Sequence, residues 1–320
     1  MSPSSSGIVT VTPNPSVDRT VLVNGITTGA VNRALASRVD PGGKGVNVSR
    51  ALTAHGRPTT AVLPLGGPEG TMLRALLADA GVTVHAVPIN GATRSNISLV
   101  REDGTTTKIN EPGPQLSGDE AERFFASVQA ELSRRPAWLV ASGSLPPGLG
   151  TDFYARLVVA GQQSGVPVAV DTTRGALVQA AAVGADLLKP NDEELAQAIG
   201  RPLLTIGDVL MAAEDLRAPG GQVIVSLGAR GALLVSSAGA TLAAVAPDSR
   251  RDPLSTVGAG DSLLAGFLHA GTRDARALAV GVAWGTAAVA LPGSQVPTPK
   301  DVAGIDVVLR EPPTELELAS

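Results

Sequence analysis

Ser255-Thr256-Val257-Gly258-Ala259-Gly260-Asp261-Ser262 runs straight into Leu263, Leu264, Phe267 and Leu268, whose spacing is that of a helix. Glycines just ahead of a helix let backbone N–H groups converge on an anion, and the positive end of the helix dipole adds favourable potential. A phosphoryl group in transit would be stabilised in such a turn. Asp261, at the entrance of the helix, is placed to accept the proton of an attacking hydroxyl. Taken alone, the same pattern suits a simple N-cap equally well.

Upstream of this turn, short runs rich in Val and Ile alternate with amphipathic stretches, the pattern of parallel strands joined by crossover helices. Strands are expected at Ile8 to Thr12, Thr60 to Leu65, Trp138 to Ala141, Pro167 to Val170, Asp186 to Leu188 and Gln222 to Ser226. Val46 to His55 reads as a helix with Val48, Ala51, Leu52 and His55 on one face. The expected fold class is α/β, a mostly parallel sheet covered by helices on both faces, in one domain spanning residues 1–320. Two regions break the rhythm, 18–40 and 94–111. In the second, Asn96 to Arg101 and Thr105 to Asn110 flank Asp103-Gly104, a favoured hairpin turn. Together they predict a small sheet that acts as a lid, a dimer contact, or both. Residues 1–6 and the acidic tail 310–320 are expected to be mobile.

Hydrophobic residues make up 43% of the 320, but aromatics only 2%, so the core must be built from Ala, Val and Leu. A net charge of −4, with no basic run interleaved with aromatics, argues against a nucleic-acid partner. Without cysteine there are no disulfides, thiolate metal ligands or thiol nucleophiles. His55, His85 and His269 lack metal-ligand spacing and are expected to be structural or on the surface. The Ser-rich start has neither a basic n-region nor an apolar h-region, and no apolar run reaches about 18 residues. The expectation is a cytoplasmic protein without membrane contact.

A second glycine cluster, Pro41-Gly42-Gly43-Lys44-Gly45-Val46-Asn47, also opens a helix and adds an ammonium and an amide. Those groups suit a ligand bearing hydroxyls or phosphate, although for the cluster taken alone a tight turn with an exposed lysine is the simpler reading. It is not a P-loop, since Gly43-Lys44 is followed by glycine. Gly258-Ala259-Gly260 lacks the third glycine of the dinucleotide fingerprint, which argues against a nicotinamide enzyme.

In order along the chain, from about Ile8 to about Leu291, these pieces resemble the PfkB branch of the ribokinase-like carbohydrate kinases, and within it the 1-phosphofructokinase and tagatose-6-phosphate kinase group. The matching segments are Thr12-Pro13-Asn14-Pro15-Ser16-Val17-Asp18, Gly43-Lys44-Gly45-Val46-Asn47, Arg94-Ser95-Asn96, Asn110-Glu111-Pro112-Gly113-Pro114, Ser142-Gly143-Ser144-Leu145-Pro146-Pro147-Gly148, Lys189-Pro190-Asn191 with Glu194, Ser226-Leu227-Gly228, and Gly258-Ala259-Gly260-Asp261.

The resemblance implies a Rossmann-like domain with a small β-sheet lid and an ATP- and magnesium-dependent transfer to a sugar-phosphate hydroxyl. Fructose 1-phosphate is the favoured acceptor; tagatose 6-phosphate and fructose 6-phosphate are the alternatives. Asp261 would be the base and the Gly258, Ala259 and Gly260 backbone the anion hole. ATP would lie along Lys189, Asn191, Ser226, Gly228 and Gly231, with Glu194 and Asn191 holding Mg2+ through water. Asp18, Gly43 and Asn47 would meet the sugar hydroxyls, and Lys44, Arg94 and Lys108, with Arg33, the substrate phosphate. A homodimer through the lid is also implied. Ser95 replaces a more usual threonine, and Thr173 and Arg174 depart from the group's pattern, so the segment 171–175 receives no role. A non-catalytic sugar-phosphate sensor on the same fold could lose Asp261 or the Asn191 and Glu194 pair; this chain keeps all three.

Overall fold

Alternation within the apolar runs decides which helices cover which side of the sheet. In the computed structural model, which describes residues 7–318, the first half of the chain forms β1 (Ile8–Val11), β2 (Ser16–Val23), β3 (Ala36–Gly42), α1 (Lys44–Ala54), β4 (Thr59–Leu65), α2 (Gly67–Asp79), β5 (Thr83–Pro88), β6 (Arg94–Arg101), β7 (Thr106–Asn110), α3 (Gly118–Leu132), β8 (Trp138–Ser142) and α4 (Phe153–Ser164). The second half forms β9 (Val168–Asp171), α5 (Arg174–Ala182), β10 (Leu187–Leu188), α6 (Asp192–Ile199), α7 (Ile206–Leu216), β11 (Gln222–Ser226), β12 (Ala232–Ser236), β13 (Gly239–Val245), α8 (Ala259–His269), α9 (Ala275–Val289), α10 (Pro299–Val302) and β14 (Val307–Arg310).

Val9 and Val11 of β1, Leu139 and Ala141 of β8, and Val223 and Val225 of β11 pack beneath α3 to α7. Their neighbours Ile8, Trp138, Val140 and Ile224 face the other way, against α1, α8 and α9. Strands buried on both faces need apolar residues at every position, which is why they read as unbroken runs. The few aromatic side chains leave Ala, Val and Leu to fill both layers, as the composition requires.

The large sheet has the order β14-β13-β12-β11-β10-β9-β8-β1-β4-β5. It is parallel from β5 to β11 and antiparallel beyond. The chain leaves β1 toward β4 on one side and later adds β8 on the other. A crevice therefore opens at their carboxyl ends, the usual ligand position of an open α/β sheet.

The two irregular regions form a second sheet of order β3-β2-β6-β7. Its register pairs Asp18 with Asp40 and Asn96, and Asn96 with Asn110. One face thus carries Ser16, Asp18, Arg38, Asp40, Arg94, Asn96 and Lys108, and the other Val17, Val21, Val39, Ile97, Leu99 and Ile109.

The expected strands and the helix after Gly43 are present, the helix beginning two residues early at Lys44. The strands β5, β12, β13 and β14 were not anticipated. One expectation needs correction: the tail from Arg310 is held in place. Leu309 and Arg310 extend β14 along β13. Beyond it, Ile206 N–H donates to Leu316 O (2.9 Å), Gly207 N–H to Thr314 O (2.9 Å) and Leu318 N–H to Leu204 O (2.7 Å). The otherwise open N–H groups at the start of α7 give the tail its partners. The remaining residues expected to be mobile, 1–6 and 319–320, lie outside those described. No helix among the described residues is long and apolar enough to cross a membrane.

Candidate active site

Gly258 caps α8 with φ 78°, a left-handed conformation that costs other residues about 1–2 kcal/mol. The turn it makes leaves the N–H groups of Gly260 and Asp261 without carbonyl partners inside the helix. Asp261 makes no capping bond; the cap is Gly258. The Asp261 carboxylate is instead buried, 7% exposed, and its Oδ2 accepts a hydrogen bond from Asn47 Nδ2 at 2.8 Å. Burial, and after it the charge of Asp171, push its pKa up to about 6, against the opposing pull of Lys44, Asn47 and Lys189.

The N-terminus of α1 brings Lys44 to the same place. Lys44 Nζ lies 2.7 Å from Asp171 Oδ1 and 2.9 Å from Glu194 Oε1. Burial disfavours this ammonium, but Asp171, Glu194 and Asp261 outweigh it and hold the pKa above the ordinary lysine value. Asp171 ends β9 and is fully buried. Its Oδ2 lies 3.1 Å from Lys189 Nζ, just past β10 and 3% exposed. Burial would raise the Asp171 pKa, yet Lys189 and Lys44 keep it below the usual carboxylate range. A methyl on Gly260 would stand 3.2 Å from Lys189 Nζ, so that ammonium lies directly against the glycine turn.

Asn191 and Glu194 form a reciprocal capping box at the start of α6. Asn191 Oδ1 accepts from Glu194 N–H (2.6 Å) and Glu194 Oε2 from Asn191 N–H (3.0 Å). Ser226 ends β11 and is bridged to Asn191, and Gly228 and Gly231 bound the short turn that follows. Lys189, Asn191, Ser226, Gly228 and Gly231 therefore follow one another along the carboxyl ends of β10 and β11.

On the small sheet, Asp18 Oδ1 accepts from Ser16 Oγ (2.7 Å) and Asn96 Nδ2 (2.9 Å). Arg94 donates to Asn14 O (3.3 Å) and Glu111 O (2.9 Å); burial lowers its pKa, partly offset by Asp18 and Glu111. Lys108 is exposed on β7, on the face that carries Asp18 and Arg94. Arg33 is exposed in the connection between β2 and β3.

Asp261, Asn47, Lys44, Lys189 and Glu194 thus come together. Lys44, expected to meet the substrate phosphate with Arg94 and Lys108, has its ammonium paired with Asp171 and Glu194, because α1 starts beside the end of β9 and the start of α6. Asp171, left without a role by the sequence, is the hub of this cluster. The available signal was its position, a carboxylate ending the apolar run Val168-Ala169-Val170 of a parallel strand. The three histidines are packing residues: His55 and His269 lie against Trp284, with His55 stacked at 3.5 Å, and His85 Nδ1 meets Glu131 at 2.7 Å.

A family model described as "pfkB family carbohydrate kinase" matches residues 11–301. The chain belongs to this family. Among relatives of this pfkB kinase, 1-phosphofructokinase of Rhodobacter capsulatus is 38% identical over 304 residues, covering 93% of this chain and 95% of that one. ATP-dependent 6-phosphofructokinase isozyme 2 of Mycobacterium tuberculosis is 36% identical over 312 residues, covering 95% and 90%. The crystal structure of phosphofructokinase-2 from Escherichia coli in complex with potassium superposes with a TM-score of 0.85 at 33% identity, covering 94% of this chain and 98% of that one. As a member of the family, the protein is a sugar kinase that takes its phosphoryl group from ATP.

The fit of magnesium rests on the donor set. Both Glu194 oxygens are engaged, with Lys44 and the Asn191 N–H, and no group of three His, Cys, Asp or Glu among the described residues is placed to ligate a metal. Mg2+ keeps several waters and is commonly held through phosphates and one or two carboxylates. The donor set would suit an ion that the phosphates of ATP hold, with Glu194 and Asn191 as the nearby protein groups.

Proposed function

We propose that this kinase phosphorylates fructose 1-phosphate to fructose 1,6-bisphosphate, with Asp261 as the base. The observation that carries the reading is the buried Asp261 carboxylate, pushed up to about 6 beside the open N–H groups of the α8 turn. The sugar enters beneath the small sheet, where Asp18 and Asn47 accept and donate to its hydroxyls, and Arg94 and Lys108 meet its phosphate. ATP lies along Lys189, Asn191, Ser226, Gly228 and Gly231. The sugar oxygen attacks the γ-phosphorus, the bond to the β-phosphate oxygen breaks, and the hydroxyl proton passes to Asp261. Gly258 to Gly260, with Lys189 beneath, stabilise the charge on the moving phosphoryl. Magnesium, held through water by Glu194 with Asn191, would neutralise charge shared by the β- and γ-phosphates. The small sheet serves as a lid that excludes water as a rival acceptor.

The relatives named 1-phosphofructokinase support fructose 1-phosphate, and those named 6-phosphofructokinase isozyme 2 favour fructose 6-phosphate as the second reading. A coupled ADP-release assay with fructose 1-phosphate, fructose 6-phosphate, tagatose 6-phosphate and fructose decides between them. The first should lead in kcat/KM by tenfold or more, a gap of about 1.4 kcal/mol; turnover of fructose alone would remove the phosphate role from Arg94 and Lys108. The apolar face of the small sheet, with Ile109 53% exposed, suits pairing with a second copy. Sedimentation of Ile109→Lys should then give a monomer. A cytoplasmic location agrees with the use of ATP and a sugar phosphate.

A further inference from the structure

Arg50 lies one turn along α1 from Asn47 and is half-buried. Its Nη1 donates to Ser294 O at 2.8 Å, in the segment after α9, to Pro41 O at 3.3 Å, near the end of β3, and to Asn47 Oδ1 at 3.3 Å. Asn47 then donates from Nδ2 to Asp261 Oδ2. An amide has one accepting and one donating end. With Oδ1 held by Arg50, only Nδ2 faces the carboxylate.

We infer that Arg50 is a positioning residue: it fixes the orientation of the Asn47 amide, so that an N–H rather than a carbonyl oxygen meets Asp261, in register with the end of β3. This rests on the reading of Asp261 as the base. A flipped amide would set Oδ1 against the Asp261 carboxylate, two acceptors face to face, and only a proton between them would relieve the contact. The other charged groups facing Asp261 are Lys44 from α1, Asp171 from the end of β9 and Lys189 from the end of β10. Arg50 itself is faced by Asp40 and Asp18, which favour its charge, and by Arg38, which opposes it. The guanidinium suits the junction because one end of its fork serves three elements at once. A lysine ammonium is a point charge with no fixed fork.

The test uses Arg50→Lys, Asn47→Ala and the double variant in the full chain. Loss of orientation should lower kcat roughly tenfold with KM for ATP unchanged. The acid limb of kcat/KM for the sugar phosphate should move to higher pH, because the ionised form of Asp261 has lost its donor. The double variant should lose no more than Asn47→Ala alone. Multiplicative losses, or a wild-type acid limb combined with a lower melting temperature, would overturn the inference and leave Arg50 as a packing residue. If Arg50→Lys does not fold, Arg50→Gln carries the same expectations. Asp261→Asn separates the two readings. Near-normal turnover in it removes the base itself, whereas an inactive Asp261→Asn with multiplicative Arg50 and Asn47 effects removes only the positioning role.

Discussion

Asp261→Asn exchanges a buried carboxylate for a neutral group of nearly the same shape, and its expected effects on stability and turnover have opposite signs. The carboxyl has an ordinary pKa of 3.8 but about 6 in the folded chain. At about 1.36 kcal/mol per pKa unit, the folded state is penalised by about 3 kcal/mol once the group is ionised. Below the unfolded pKa both states hold the proton and there is no penalty. It grows as pH rises from about 3.8 and is complete above about 6. This difference already contains the attraction of Lys44 and Lys189, since both act on the same proton. At roughly 2.1 cal/mol/K per residue, 320 residues convert about 3 kcal/mol into a gain of about 4–5 °C. Thermal melts of wild type and variant from pH 4 to pH 8 should therefore nearly coincide at the acid end and separate at the alkaline end, while turnover falls about 10²–10⁴-fold. A variant no more stable than wild type at pH 8 would refute the account of a strained, desolvated base.

Three further outcomes follow from the same cluster. Turnover of the wild type should fall as pH drops through about 6, when Asp261 takes up its proton; a pH–rate profile flat to pH 5 would contradict this. Asp171→Asn leaves Lys189 buried without its counter-charge and should cost about 3–5 kcal/mol in urea unfolding. The part owed to half-exposed Lys44 is smaller, and Asp171→Asn with Lys189→Met should cost less than the two single changes added. In Gly258→Ala the new methyl would meet only Asn47 Nδ2 at 3.7 Å, an ordinary contact, so a loss of about 1–2 kcal/mol would come from the backbone, accompanied by lower kcat.

The inner parallel strands were legible because burial on both faces makes each an unbroken apolar run, whereas β5, the half-buried edge strand, lacks one; the turn before α8 was legible because glycine and a following helix leave a local signature. The hairpin of the small sheet was marked by Asp103-Gly104. What escaped had no local signature. The strands β12 to β14 are held by antiparallel pairing at the far edge of the sheet. Asp171 and Arg50 acquire meaning only from partners far away in sequence: Lys44 meets Asp171 across the β1–β9 side of the sheet, and Arg50 meets Ser294 across the gap between α1 and the end of α9. The pairing of Lys44 escaped for the same reason, since its own segment says that it is a cation but not which carboxylates await it.

The sheet also divides the protein optically. Both tryptophans, Trp138 and Trp284, belong to the layer shared with α1, α8 and α9, whereas the single tyrosine, Tyr154, lies in the opposite layer. Indole emission therefore watches the side that carries the turn of Asp261, where His55 stacks on Trp284 at 3.5 Å. Excitation at the red edge, which indole absorbs and phenol does not, therefore reports the layer opposite Tyr154 from a single unlabelled sample.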